Sequence, residues 1–130
     1  MFNQSVTDLI KLAQSKGVQF EWVNSFTKVR GMQPAGMYVR HQGKRTIQIR
    51  KGMTLAQTEQ IITHEIAHAL WDLSLPTGKR GSLKKMKRNL GFLKSLMMRV
   101  LYHPDEWKEE SFCYYMESRP SLLLHLFKQL

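Results

Sequence analysis

Two histidines and a glutamate in the segment His64-Glu65-Ile66-Ala67-His68 have the residue types and the spacing of a metal site. On an α-helix, residues four apart lie on one face about one turn from each other, so both imidazoles can face a single ion. Glu65 lies beside that face, and its carboxylate can reach a water on the ion without being a ligand itself. The segment therefore predicts a Zn²⁺ site in which Glu65 is the catalytic base that activates water to attack a peptide carbonyl.

The residues around this segment favour a functional site over a chance match. From average residue usage, three fixed positions coincide in roughly one of a few hundred chains of this length. The helix that carries them, however, is almost uncharged, as expected of a buried helix that bears ligands. Its apolar positions are Ile61, Ile62, Ile66, Ala67, Ala69 and Leu70. The competing interpretation is a pair of ordinary core or surface histidines beside a solvated glutamate.

A catalytic zinc site has three protein ligands and a water, so this motif lacks one ligand. Asp72 is too distant, because eight residues of helix beyond His64 span about 12 Å. The candidates elsewhere in the chain are Glu106, Glu109, Glu110, Glu117, His103 and His125. Glu109 lies at the edge of an apolar helical face that points inward, whereas Glu110 lies on a more polar face. This facing argument favours Glu109, with Cys113 as a possible soft ligand one turn later.

The elements that must position these residues predict one α+β domain over residues 1–130. Three segments of alternating apolar and polar residues, 18–22, 37–40 and 46–50, predict a small antiparallel sheet that contains a hairpin. The expected helices are a short one from a capping box at Ser5 to Gly17, one from a capping box at Thr54 and Gln57 to about Leu73, an amphipathic one over 82–101, one from Pro104 closed by Pro120, and a short one over 121–130.

The charge of the chain is unevenly distributed. The net charge is +10, and no acidic residue occurs between Asp72 and Asp105. Within that interval, the predicted helix over 82–101 has a Leu/Met stripe on one face and a basic cluster on the other: Lys84, Lys85, Lys87 and Arg88. This cluster predicts a weak contact with nucleic acid or another acidic partner. The alternative is a solvated face on a helix whose stripe packs in a core or in a dimer.

The sequence predicts a cytoplasmic protein that does not enter a membrane. The N-terminus has no signal-peptide pattern, and no apolar run approaches the roughly 18 residues that span a bilayer. Cys113 is the single cysteine, so no disulfide can form within the chain, and a reducing compartment is expected.

From about Gly36 to Pro120, the sequence resembles the ImmA/IrrE-type metallopeptidases of bacteria, their phages and mobile elements. The resemblance rests on the order of a glycine-led strand hairpin, the HExxH helix, and a later helix that begins with glutamate and closes near proline. It implies a zincin-like fold with the motif on a central helix. It also implies that both histidines and a downstream glutamate bind zinc, and that glutamate is Glu109 when counted back from Pro120. Glu65 would be the base.

The resemblance implies a hydrolase whose substrate is a specific protein, such as a transcriptional repressor. The chain departs from the family after Glu109, where Glu110-Ser111-Phe112-Cys113 replaces the small residues and the asparagine or aspartate that are common there. The third ligand therefore stays open among Glu109, Glu110 and a histidine. The basic segment 79–99 is also longer than the usual connection.

Three alternatives compete with this interpretation. The first is a phage protein on the same fold that binds nucleic acid or a host protein without proteolysis. The second is a SprT-like protease that acts on DNA-bound proteins, suggested by His68-Ala69-Leu70-Trp71 and the basic charge, with His103 or His125 as third ligand. The third is an interaction module without a metal, which requires the HExxH match to be accidental.

Overall fold

A computed structural model describes residues 2–26, 33–74 and 105–129. Within these residues the chain forms four helices and a three-stranded sheet, which confirms the α+β class. In chain order the elements are α1 (Gln4–Ser15), β1 (Val18–Val23), β2 (Gly36–His41), β3 (Lys44–Arg50), α2 (Leu55–Ser74), α3 (Asp105–Met116) and α4 (Pro120–Lys128). The predicted helix over 82–101, its basic cluster and His103 lie outside the described residues.

The sheet is mixed, so the prediction of an antiparallel sheet was wrong. β2 and β3 do form the predicted antiparallel hairpin, in which Tyr38 lies opposite Ile47. Its turn has positive φ angles at Gln42 and Gly43, as a two-residue hairpin turn of type I′ requires. β1, however, pairs in parallel with β3, which becomes the central strand. β1 and β2 are therefore the outer strands of the described sheet, one on each side of β3.

The helix boundaries test the two capping predictions. At the start of α2, the Gln57 backbone N donates to Thr54 Oγ1 (3.2 Å) and the Thr54 backbone N donates to Gln57 Oε1 (3.1 Å), which confirms the capping box. At the start of α1, Asn3 Oδ1 accepts from the Ser5 backbone N (2.8 Å), so the predicted capping box at Ser5 was wrong. Asparagine caps at least as well as serine, and it lies one residue before the helix.

α2 is the central helix of the described residues. It packs against α1, α3 and α4 on some sides and against β2 and β3 on another. The core that it shares with these elements contains fully buried side chains such as Ile47, Ile62, Leu70, Phe112 and Phe127. Each such side chain contributes about 1.5–3 kcal/mol by leaving water. The HExxH residues therefore lie on a helix that packs against five of the other six described elements.

The two C-terminal helices meet at Pro120. α3 ends at Met116, earlier than predicted, and Pro120 begins α4 instead of closing α3. Proline suits the first turn of a helix because the backbone N–H that it lacks has no partner within the helix there. Among the helices of the described residues, none has the length and apolar character needed to cross a bilayer.

Candidate metal centre

The HExxH residues lie together on α2. The His64 and His68 ring centroids are 5.1 Å apart, with the rings inclined at 66°. His64 and Glu65 are buried, at 8 % and 6 % exposure, and His68 is partly exposed. The helical spacing thus brings both imidazoles and the carboxylate to one place with little solvent.

Each histidine contacts a carboxylate from the following helical region. His64 Nδ1 lies 2.9 Å from Glu117 Oε2, and His68 Nδ1 lies 2.5 Å from Glu109 Oε2. His68, the later of the two histidines on α2, contacts Glu109, the earlier of the two glutamates. The helices α2 and α3 therefore run antiparallel. This packing selects two of the six sequence candidates and separates them, one at each histidine.

A cleft of about 340 Å³ brings the predicted catalytic and metal-binding residues together. Its walls are formed by β2, α2 and α3, through Gly36, Met37, Tyr38, His64, Glu65, His68 and Glu109. Met37 and Tyr38 carry no signal of this role in the sequence, because alternation along a strand does not show which helix the strand will face. Glu65 therefore lies in the wall of the same cleft as both histidines.

Cys113 offers a second possibility for the third ligand. Donor atoms of His64, His68 and Cys113 all lie within 4.8 Å of one another, and Cys113 is fully buried. Ligand atoms around a tetrahedral zinc lie about 3.5 Å apart, so small side-chain rotations suffice to bring such a set into coordination. Two imidazoles with either a carboxylate or a thiolate form a donor set that suits zinc.

The remaining candidates occupy other places. His125 is an exposed residue of α4, where its Nε2 lies 3.2 Å from Gln129 Nε2, and it is not among the residues that line the cleft. Glu106 and Glu110 belong to α3, but their side chains lie outside the described part of the structure. Of the described candidates, Glu109 alone lines the cleft with both histidines.

Asp72 anchors the β2–β3 hairpin to the end of α2. Its carboxylate accepts hydrogen bonds from Tyr38 Oη (2.7 Å), Arg40 Nη1 (3.0 Å) and Arg45 Nε (3.0 Å). Burial by itself acts to raise the pKa of Asp72, but the hydrogen bonds from Tyr38 and Arg45 and the two positive charges outweigh it, so the pKa lies below its ordinary value. Burial and the bond to Asp72 raise the pKa of Tyr38. This hub fixes Tyr38 in the cleft wall.

Gly36 permits the close approach of β2 to α2. A Cβ atom at this position would lie 2.5 Å from Ile61 Cγ2 and 3.2 Å from Glu65 Cγ. Any other residue would therefore push the strand away from α2 beside Glu65. The glycine that leads the hairpin in the sequence was the available signal for this contact.

Comparisons with models of known protein families, with curated proteins and with solved structures find no match for this chain. The resemblance to ImmA/IrrE-type peptidases therefore rests on the order of the motifs in the sequence.

Proposed function

We propose that this protein is a zinc-dependent endopeptidase, with His64, His68 and Glu109 as metal ligands and Glu65 as the catalytic base. The observation that carries the proposal is the single cleft that all four side chains line. The donor set of the cleft suits zinc. Glu65, which is not needed as a ligand, lies between the two histidines in sequence and is almost fully buried.

When bound, zinc lowers the pKa of a coordinated water to near 7 and polarises a carbonyl group. Glu65 takes a proton from the attacking water while the water oxygen forms a bond to the peptide carbon. Glu65 then delivers that proton to the peptide nitrogen as the C–N bond breaks, which leaves a carboxyl group and an amine. Its burial beside the histidines keeps the carboxylate close to the reacting atoms.

The strand that lines the cleft supports a peptide as substrate. Gly36, Met37 and Tyr38 of β2 form one wall, and β2 is an edge strand of the sheet as described. An extended peptide can pair with the backbone of such an edge and so lie across the cleft beside Glu65. The family resemblance suggests a specific protein substrate such as a DNA-binding transcriptional repressor of a phage or mobile element, and the net charge of +10 suits an approach near DNA.

Zinc content tests the metal centre. Protein purified without a metal-affinity tag is analysed for zinc per chain as wild type, His68→Ala, Glu109→Ala and Cys113→Ser. We expect one zinc per chain in the wild type and in Cys113→Ser, and a loss of zinc in the other two. Wild-type protein that is folded, contains no zinc and takes none up would contradict the proposal.

Glu65→Gln tests the catalysis separately from the metal. This variant keeps the shape of the side chain but cannot accept a proton, so it should bind zinc normally and lose about 10²- to 10⁴-fold in cleavage rate. Cleavage is measured as new N-termini in a proteome-derived peptide library by mass spectrometry, with Glu59→Gln on the same helix as the control. A wild type that binds zinc but produces no new N-termini would favour the non-proteolytic alternative.

A further inference from the structure

A chain of hydrogen bonds extends from His64 away from the catalytic cleft. His64 Nδ1 lies 2.9 Å from Glu117 Oε2, and the other carboxylate oxygen, Glu117 Oε1, accepts from Gln60 Nε2 at 2.8 Å. Glu117 follows directly after α3, where its backbone N donates to the Cys113 carbonyl oxygen at 2.9 Å. Both oxygens of this carboxylate are therefore engaged by side chains of α2.

The contact between His64 and Glu117 is largely shielded from solvent, whereas Gln60 is exposed. The His64 side chain is 10 % exposed and the Glu117 side chain 20 %. Gln60 and Glu117 line a second cavity of about 260 Å³, which shares no lining residue with the catalytic cleft. His64 lines the first cavity, and its carboxylate partner lines the second. A change at Glu117 or Gln60 therefore alters the support of His64 without altering the wall of the catalytic cleft.

An imidazole that donates its Nδ1–H to a carboxylate is held in one tautomer and one orientation. Its Nε2 is then the atom that binds a metal, and the carboxylate increases the basicity of the ring. Gln60 Nε2 can only donate, so its bond keeps the second oxygen of Glu117 on α2 and directs the first toward His64. The side chain at position 60 lies one helical turn before His64, on the same face.

We propose that Glu117 is the positioning residue of His64 and that Gln60 holds Glu117 in place. This inference rests on the zinc site proposed above and assigns Glu117, a candidate ligand in the sequence, a different task. Glu109 and Glu117 are eight residues apart, about 12 Å along a helix, so they do not converge on one ion. Glu109 lines the cleft, whereas Glu117 contacts the Nδ1 atom of the ligand His64.

Zinc affinity in the full chain tests the inference. It is measured by competition with a chromophoric chelator for the wild type, Glu117→Ala, Glu117→Gln, Gln60→Ala and the control Glu59→Gln. Glu59 lines the same second cavity, but its carboxylate accepts from the Asn3 backbone N and contacts no histidine in the described hydrogen bonds. We expect Glu117→Ala to weaken zinc binding about 10- to 100-fold and Glu59→Gln to leave it unchanged.

The conservative variant separates positioning from folding. The amide oxygen of Glu117→Gln can still accept the Nδ1–H of His64, so this variant should retain part of the affinity that Glu117→Ala loses. Gln60→Ala should fall between Glu117→Gln and the wild type. If Glu117→Ala fails to fold, these two variants carry the test, and wild-type affinity in both would overturn the inference.

The tautomer of His64 provides a readout that does not depend on zinc. Long-range ¹H–¹⁵N correlation spectra of the zinc-free protein should show the His64 proton on Nδ1 in the wild type and in Glu59→Gln. In Glu117→Ala that proton should redistribute toward Nε2. An unchanged tautomer together with unchanged zinc affinity would overturn the positioning role while leaving the zinc site intact.

The spectrum of the Co²⁺-substituted protein tests whether Glu117 is itself a ligand. If Glu117 positions a ligand, the ligand-field bands of Glu117→Ala should match the wild type once the site is saturated. A change of coordination in that variant would make Glu117 a ligand and overturn the inference. A wild type that binds neither ion contradicts the proposed function instead, and the tautomer measurement then still decides the role of Glu117.

Discussion

The two histidines of α2 have similar partners in different surroundings. His64 Nδ1 contacts Glu117, which is 20 % exposed and accepts a hydrogen bond from Gln60. His68 Nδ1 contacts Glu109, which is 36 % exposed and lines the cleft. We expect Glu117, the more enclosed carboxylate, to hold the His64 ring in place. We expect Glu109, the more open one, to leave His68 Nδ1 and bind the ion. In the proposed zinc site, the same pair of residue types therefore supports a ligand at one histidine and supplies a ligand at the other.

The largest expected effect is the contrast between the two carboxylates themselves. Glu109→Ala should weaken zinc binding by more than about 100-fold, beyond the loss expected for Glu117→Ala, because removal of a ligand costs more than removal of its support. Chelator competition on both variants measures the two losses. Equal losses would break the comparison and make Glu109 a second positioning residue.

Cys113 sharpens the same comparison, because it is the other candidate for the third ligand. We expect Cys113→Ser to change zinc affinity less than Glu109→Ala, and the Co²⁺-substituted wild type to lack a thiolate charge-transfer band in the near ultraviolet. A band that disappears in Cys113→Ser would assign the third position to the cysteine. Glu109 would then orient His68 and would not be a metal ligand.

Gly36, in the β2 wall of the cleft, tests whether the cleft depends on close packing. Gly36→Ala places a Cβ atom against Ile61 and Glu65, so it should lower the free energy of unfolding by about 1–3 kcal/mol and reduce cleavage through displacement of Glu65. Denaturant unfolding and the peptide-library assay measure both effects. Met37→Ala is the matched control for the stability measurement alone, because Met37 lines the cleft but is 38 % exposed. Equal stability of the two variants would contradict the prediction.

The smallest effect is expected at Asp72, a carboxylate that pairs with arginines instead of histidines. Asp72→Asn should leave zinc affinity unchanged and lower the free energy of unfolding by about 1–2 kcal/mol near neutral pH. The pKa of Asp72 is lower in the folded than in the unfolded state, so its contribution is present above its ordinary pKa and is lost as pH falls through the folded value. The stability difference from the wild type should therefore shrink below roughly pH 4, as unfolding curves at several pH values would show.

The raised pKa of Tyr38 determines how the stability contributed by its hydrogen bond to Asp72 changes at high pH. The protonated phenol donates to Asp72, so its contribution to stability is complete below the ordinary tyrosine pKa and declines only as pH rises through the higher folded value. The stability difference between the wild type and Asp72→Asn should consequently stay constant from roughly pH 5 to pH 9. A difference that varies across this interval would point to a contribution from other groups.

The features that depend on neighbours along the chain could be predicted from the residues alone. The spacing of His64 and His68 places both rings on one helical face, Thr54 and Gln57 cap that helix, and Gln42-Gly43 turns the hairpin. Each follows from helical periodicity, side-chain bonds to nearby backbone, or a left-handed turn, and all of these act over a few residues.

Contacts between residues that are distant in the chain depend on the tertiary structure. The contacts of His68 with Glu109 and of His64 with Glu117 span 41 and 53 residues, and they depend on the antiparallel packing of α2 and α3. The parallel pairing of β1 was likewise hidden, because alternation of apolar residues predicts a strand but carries no information on its direction. A helical face shows that a carboxylate points inward, but the register between two packed helices determines which histidine it reaches.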